Sequence, residues 1–168
     1  MKFACDAMLG RLARWLRISG HDVFYRADMD RAVFLRVAKE ERRVVLTRAE
    51  NFKELSEIPP YHIITGNDLD DHLSQVYKAF PQLKPFDEFL TRCVECNVLL
   101  VEIDKDKFSD SIPPKAQHLS GRFCRCPSCG KLLWPGSHVE RIKARLTTLF
   151  PKANSNNQSP NSKPGFNN

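Results

Sequence analysis

Four of the six cysteines are spaced for metal chemistry, as Cys93-x-x-Cys96 and Cys126-x-x-Cys129. Two residues between thiolates let one turn present both sulfurs to a single ion at about 2.3 Å, while amides of the turn donate to the sulfurs. Two such knuckles complete a tetrahedron and leave no open position, so a zinc ion held here supports structure and does not activate water. The 29 residues between the pairs fit a zinc ribbon with a long insert, and Gly130 stands where a knuckle turn needs positive φ. Disulfides are the competing reading, disfavoured in an intracellular chain. Cys124 spaces poorly as an alternate ligand, and Cys5 reads as a small buried residue.

Asp6, Asp28 and Asp30 are candidates for a catalytic magnesium or manganese site. Hard divalent ions take several oxygens, and two-metal nucleases cluster carboxylates at strand ends to supply them. Asp6 and Asp30 read equally well as helix N-caps, a role that needs no metal. A third feature is the recurrence of Arg11, Arg14 and Arg17 at every third position, with Trp15 among them and Lys2 and Arg48 as candidate neighbours. Such a basic stripe can track phosphates while an aromatic stacks on bases. The bland alternative makes Trp15 core and pairs the arginines with acids of the same domain. His21, His62, His72 and His118 have no ligand spacing and read as surface or capping residues.

The elements that must position these groups alternate. Lys2–Asp6 reads as a strand, Met8–Ser19 as a helix stopped by Gly20, Asp22–Arg26 as a strand, and Asp30–Glu41 as a helix. Arg43–Thr47 is an apolar run of strand length, Asn51–Ser56 a short helix, Tyr61–Thr65 a strand and Asp70–Phe80 a helix. This alternation predicts an α/β fold with a mostly parallel sheet, whose ligands gather at the carboxyl ends of the strands. Asp6, Asp28 and Thr47-Arg48 fall at or beyond such ends. Pro81–Pro85 reads as a linker, so the expected units are residues 1–85, a ribbon with a basic closing helix over 86–150, and a disordered tail over 151–168. That tail is Asn, Ser and Pro with two lysines, too polar to fold.

Charge sharpens the picture. Residues 1–50 carry a net +4, residues 51–90 a net −4 and residues 91–168 a net +6, within a total of +6. Positive charge flanks an acidic middle, which favours a polyanion partner. No apolar run of membrane-spanning length and no signal peptide are evident, so an intracellular protein, cytoplasmic or nuclear, without a membrane partner is expected.

Two long motifs resemble one family. The first is Phe3-Ala4-Cys5-Asp6-Ala7-Met8-Leu9-Gly10-Arg11-Leu12-Ala13-Arg14-Trp15-Leu16-Arg17, continued by Gly20-His21-Asp22-Val23 and Arg43-Val44-Val45-Leu46-Thr47-Arg48. The second is Cys126-Pro127-Ser128-Cys129-Gly130-Lys131 with Trp134-Pro135-Gly136-Ser137-His138. Over about residues 2–146 the chain resembles the PIN-like domain with a C-terminal zinc ribbon, which occurs alone in prokaryotes and as the last domain of mut-seven-type exonucleases. The resemblance implies a PIN-like three-layer α/β/α sandwich plus a small four-cysteine zinc ribbon, a nuclease ancestry and an RNA-linked role. In that pattern Asp6 matches the first acid and Asp30, or Asp28, the second. The third normally follows Leu-Thr-Arg, and that position is Ala49.

A methyl group cannot ligate a metal, and losing one carboxylate from such a site weakens both positioning and charge stabilisation. Glu50 diverges from its neighbour's direction, and Asp68, Asp70 and Asp71 are later candidates for the missing acid. The leading expectation is therefore an RNA-binding accessory domain of an exoribonuclease, contacting single-stranded RNA through Arg11, Arg14, Arg17, Arg48, Lys131, Arg141, Lys143 and Arg145. An upstream exonuclease domain is an expected partner, since the first motif abuts Met1 as in an excised C-terminal domain. The alternatives are an active magnesium- or manganese-dependent ribonuclease and a protein-docking module using the ribbon and the acidic 51–90 segment. A Rossmann dinucleotide site is disfavoured, because no glycine-rich loop follows the first strand.

Overall fold

The computed structural model describes residues 1–50 and 58–151. The short helix expected at Asn51–Ser56, and the tail from 152 onward, lie outside the described residues. Four strands, β1 (Lys2–Cys5), β2 (Asp22–Tyr25), β3 (Val44–Thr47) and β4 (Tyr61–Ile63), form one sheet in the order β2-β1-β3-β4. All three pairings are parallel, with Phe3 opposite both Val23 and Val44. Parallel strands need crossovers, and helices provide two of them: α1 (Gly10–Ile18) between β1 and β2, and α2 (Arg31–Glu40) between β2 and β3.

Side chains alternate across β1 and β3, and so divide the core in two. Phe3, Cys5 and Leu46 face a large cluster with Leu12 and Leu16 of α1 and Leu73 and Val76 of α3 (Leu69–Ala79). Ala4 and Val45 face the opposite side, against Phe34 and Ala38 of α2. The sheet is thus buried between two helical layers, in agreement with the expected α/β sandwich. Gly20 ends α1 with φ +90°, while its amide and that of His21 donate to the carbonyls of Arg17 and Leu16. A Cβ there would strike the Glu88 carbonyl, so glycine is required by both conformation and space.

Beyond residue 85 a smaller antiparallel sheet, β5 (Val101–Glu102), β6 (Cys124–Arg125) and β7 (Leu132–Leu133), carries the cysteines. The insert between β5 and β6, which includes the short helix α4 (Pro114–Gln117), has a core of its own around Ile112, Ala116 and Phe123. Two features differ from the sequence reading. The closing basic helix, read from the sequence as Arg141–Phe150, is α5 (Ser137–Leu149), which starts four residues earlier, after Gly136 and without a side-chain cap. Its Ile142 and Leu146 sit in the large core beside α1 and α3, so α5 packs with the first unit although it follows the ribbon in sequence. The 81–85 stretch is likewise no loose tether, since Phe80, Leu83 and Phe86 all pack on that core. Among the described residues no helix is long and apolar enough to cross a membrane.

Candidate functional site

The two Cys-x-x-Cys turns have the same backbone. Cys93 N donates to Val98 O and Asn97 N to Cys93 O, while Cys126 N donates to Lys131 O and Gly130 N to Cys126 O, each at 2.9 Å. Both turns close through a left-handed residue, Asn97 at φ +65° and Gly130 at φ +74°. Asparagine tolerates this region better than most side chains, so the first knuckle works without glycine. Amides of Cys96 and Cys129 point at the sulfurs of Cys93 and Cys126, at 3.5 and 3.4 Å.

The four sulfurs lie within 4.8 Å of one another, and Cys93 Sγ and Cys129 Sγ are 3.8 Å apart. A tetrahedron with metal–sulfur bonds of about 2.3 Å has edges of about 3.8 Å. The residues therefore fit structural zinc, and all four cysteines are free of disulfides. Burial pushes the Cys93 thiol up to about 12. Burial also opposes ionisation of Cys126, but amides of Cys129 and Ser128 overcome it and hold this thiol down to about 7. Burial pushes the Cys5 thiol far up, consistent with an inert core residue.

A polar seam ties the first knuckle to the parallel sheet. Arg17 is only 5% exposed, and its guanidinium donates to Val23 O (2.9 Å), Val94 O and Glu95 O (both 2.8 Å). Arg17 is therefore a correction to the expected phosphate-tracking stripe: it turns inward and clamps knuckle to strand. Asn97 adds Nδ2 to Asp22 Oδ1 (2.8 Å) and accepts from Val23 N (2.9 Å). Arg92 donates to Gly20 O and Asn97 O. Asp22 also pairs with buried Arg43 at 2.6 Å. Asp22, Arg43, Arg92 and Asn97 escaped the sequence reading. The available signals were that Asp22 belongs to the Gly20-His21-Asp22-Val23 motif and that Arg43 opens the Arg43–Arg48 motif.

The carboxylates behave differently. Asp6 Oδ1 accepts from Met8 N (2.9 Å), and Oδ2 accepts from Thr47 Oγ1 and Arg48 N (both 2.7 Å). Asp6 is an N-cap and a tether between the ends of β1 and β3. Asp30 caps α2, accepting from the amides of Ala32 and Val33, and Asp28 is exposed. Asp68 caps α3, and Asp70 pairs with Arg145 at 2.7 Å. Among the described residues, the four cysteines are the single group of three or more ligand side chains close enough to share an ion. The expected cluster of Asp6, Asp28 and Asp30 does not assemble, because the caps hold Asp6 and Asp30 to local helix ends. A cavity of about 220 Å³ opens beside Asp6, lined also by Met8, Arg26, Arg31, Phe34 and Ala49.

Arg11 and Arg14 are brought together with the ribbon. A groove of about 420 Å³ runs between α1, the first knuckle and α5, with Arg11, Arg14, Lys131 and His138 around Trp15 and Val139. Glu95 lies among them, 3.6 Å from Arg14 and 3.8 Å from Lys131. Arg145 covers the Trp15 ring at 5.4 Å while bonding Asp70. Lys143 lines a different cleft with Arg122 and Pro135, and Arg48 bonds Asn67 on the sheet's carboxyl edge. Arg141 is exposed on α5 outside that groove.

Comparison with curated proteins and with solved structures found no match. The family model described as the Mut7-C RNAse domain matches residues 1–146, a stretch that takes in the parallel sheet, all four metal-site cysteines and most of α5. With that much of the chain accounted for, the protein belongs to the Mut7-C RNAse domain family.

Proposed function

We propose that this domain binds single-stranded RNA on behalf of an exoribonuclease and contributes little or no cleavage itself. The observation that carries this reading is the groove where Arg11 and Arg14 of α1 meet Lys131 of the ribbon over an apolar floor. Spaced cations follow a phosphate backbone, and the half-buried Trp15, packed on the core and covered by Arg145, adds apolar surface to the groove. Glu95 bridges two of the cations through exposed contacts longer than 3.5 Å. Such pairs are worth about 0–1 kcal/mol, so incoming phosphates displace the carboxylate readily. The zinc module supports this site by fixing Lys131 close behind the second knuckle.

Weak catalysis follows from the other end of the sheet. A magnesium or manganese ion there would draw on Asp6, whose oxygens already accept three hydrogen bonds, while Ala49 offers nothing. Binding through three phosphates predicts a log–log salt slope of about −2 for single-stranded RNA. The test is fluorescence anisotropy across a salt series, with wild type and the Arg11→Ala/Arg14→Ala double variant. A flat salt response, or equal affinity of the two proteins, would refute the reading. The ribonuclease alternative is favoured by one observation, that Asp6 lines a cavity at the carboxyl edge with two arginines. Manganese-dependent RNA cleavage that disappears in Asp6→Asn would establish it.

A further inference from the structure

Among the described residues that line the groove between α1 and the ribbon, Glu95 is the one acid, set among Arg11, Arg14 and Lys131. It is the third residue of the first knuckle, Cys93-Val94-Glu95-Cys96, and its own carbonyl accepts from Arg17 at 2.8 Å. The knuckle turn and the buried Arg17 guanidinium thus fix the backbone from which this side chain enters the groove. Its carboxylate lies 3.6 Å from Arg14 and 3.8 Å from Lys131. Both contacts exceed hydrogen-bond length, so among the described residues the Glu95 oxygens attract two cations without accepting a close hydrogen bond.

For phosphate binding alone, an acid in this place is a handicap, because it neutralises part of the positive field. Phosphates that take over Arg14 and Lys131 leave Glu95 charged, without its ion pairs and still held by the knuckle. It then faces a floor that includes Ile18, Leu90, Val94 and Val139. A carboxylate in that position is stabilised by N–H donors, and in single-stranded RNA the donors are on the bases. Unpaired bases are read on their Watson–Crick edges. Guanine is the base that puts two donors side by side on that edge, N1–H and N2–H, matching the two oxygens of a carboxylate. Its neighbouring O6 is an acceptor, and cations stand on both sides of Glu95. Adenine and cytosine each set a ring-nitrogen lone pair beside their amino group. Uracil flanks its one N–H with two carbonyls. Each of these three bases turns at least one lone pair towards the carboxylate.

The geometry points to Glu95 as a base-reading residue that makes the groove prefer guanine. Its carboxylate accepts from N1–H and N2–H, a neighbouring cation donates to O6, and the ring packs on the apolar floor. This inference rests on the groove binding RNA, as proposed above, and adds a preference for one base. The Glu95 side chain is 47% exposed, so water competes for the same oxygens and the preference is modest.

The test uses short oligouridines that carry one central guanine, inosine or adenine, or no substitution, with binding read by fluorescence anisotropy. Wild type should bind the guanine strand roughly ten-fold more tightly than the adenine or all-uridine strand. Inosine keeps N1–H and O6 but lacks the 2-amino group, and should fall between. Glu95→Gln keeps the length of the side chain, removes its charge and replaces one acceptor with a donor. This variant should bind all-uridine RNA more tightly than wild type does and lose the guanine preference, while equal zinc content of the two proteins shows the knuckle intact. A carboxylate that only neutralises its neighbours predicts instead that Glu95→Gln tightens every strand by one common factor. That result, or equal affinity of wild type for the guanine and all-uridine strands, overturns base reading. In either case, all-uridine RNA that loses affinity in Arg11→Ala/Arg14→Ala keeps the groove reading intact. Failure of every strand to bind wild type removes both.

Discussion

The cysteine spacing is a strong signal in the sequence and the carboxylate spacing a weak one, and among the described residues the first site assembles and the second does not. Each cysteine pair is shaped by its own turn, with ladder bonds of 2.9 Å inside the knuckle and amides aimed at the sulfurs. Only one long-range event, the meeting of two knuckles, is then needed to bring four sulfurs within 4.8 Å. The carboxylates would each have to leave a strand end and converge without local help. Asp6 and Asp30 have nearer partners, the helix-end N–H groups that no intrahelical carbonyl can satisfy. Ligand spacing therefore carries information when the turn that holds the ligands is local, and little when competing caps are local instead.

The sharpest way to break this comparison is to remove the metal. Structural zinc in small modules contributes on the order of 10 kcal/mol to folding, so chelation or Cys126→Ser should unfold the ribbon outright. Metal analysis should return one zinc per chain before chelation and none after it. Circular dichroism melts of the same samples should show loss of the cooperative transition, or a fall of tens of degrees. Retention of the full melting temperature without zinc would mean that the cysteines are not a metal site.

Next in size is the seam that transmits the ribbon to the sheet. Arg17→Ala removes a buried cation and leaves the carbonyls of Val23, Val94 and Glu95 without their donor. Losing hydrogen bonds to a charged group costs about 1.5–3 kcal/mol each in favourable cases, and water can reach some of the vacated carbonyls, so a net loss of about 3 kcal/mol is expected in urea unfolding. Arg14→Ala, three residues earlier and exposed, should cost less than about 0.5 kcal/mol. Equal effects at the two positions would restore the uniform basic stripe that the every-third-residue spacing suggests.

That contrast shows what can be read from the chain. Alternating apolar runs such as Arg43–Thr47 point to the parallel sheet, because burial on both faces leaves a composition signature. The knuckles are legible because their geometry is local. Arg17 is misleading because spacing places a residue on a helix face but does not say which neighbours arrive there, and Val94 and Glu95 are 77 and 78 residues away. Asn97 is hidden for a related reason: its positive φ and its bonds to Asp22 and Val23 belong to a junction that no single segment encodes. The position of α5 in the first core is equally hidden, since its amphipathic face specifies burial but not the surface that buries it.

Acid should weaken the same seam from another direction. Burial holds His21, beside Gly20 and Asp22, down to about 4, and its Nε2 lies 3.0 Å from Tyr77 Oη. A histidine whose folded value lies below its unfolded 6.5 binds more protons when unfolded. Its stabilising contribution is thus complete above about pH 6.5, declines as pH falls towards about 4, and is gone below that. The ceiling on this loss is about 3 kcal/mol. Melting temperatures between about pH 7 and 4 should fall more steeply for wild type than for His21→Gln, in which no group titrates at this position. Parallel pH profiles would show that other groups cause the acid loss.

A modest effect bears most directly on the carboxylates. Asp6→Asn keeps one acceptor oxygen but places an amide where Met8, Thr47 or Arg48 donates, so one of three bonds is lost. Removal of a cap interaction costs about 1 kcal/mol, and that modest loss is expected here, without a change in affinity for single-stranded RNA. A residue whose main work is metal ligation would behave in the opposite sense. Its neutral variant relieves repulsion between acids, so the apo protein becomes more stable and manganese no longer raises the melting temperature. The measurement is therefore a pair of melts for each protein, with and without manganese at fixed zinc. A destabilised Asn variant, and wild type indifferent to manganese, leave Asp6 as the clasp between β1 and β3. Manganese stabilisation confined to wild type would mean that the acids converge when an ion is present, and the contrast with the cysteines would then be one of affinity and not of assembly.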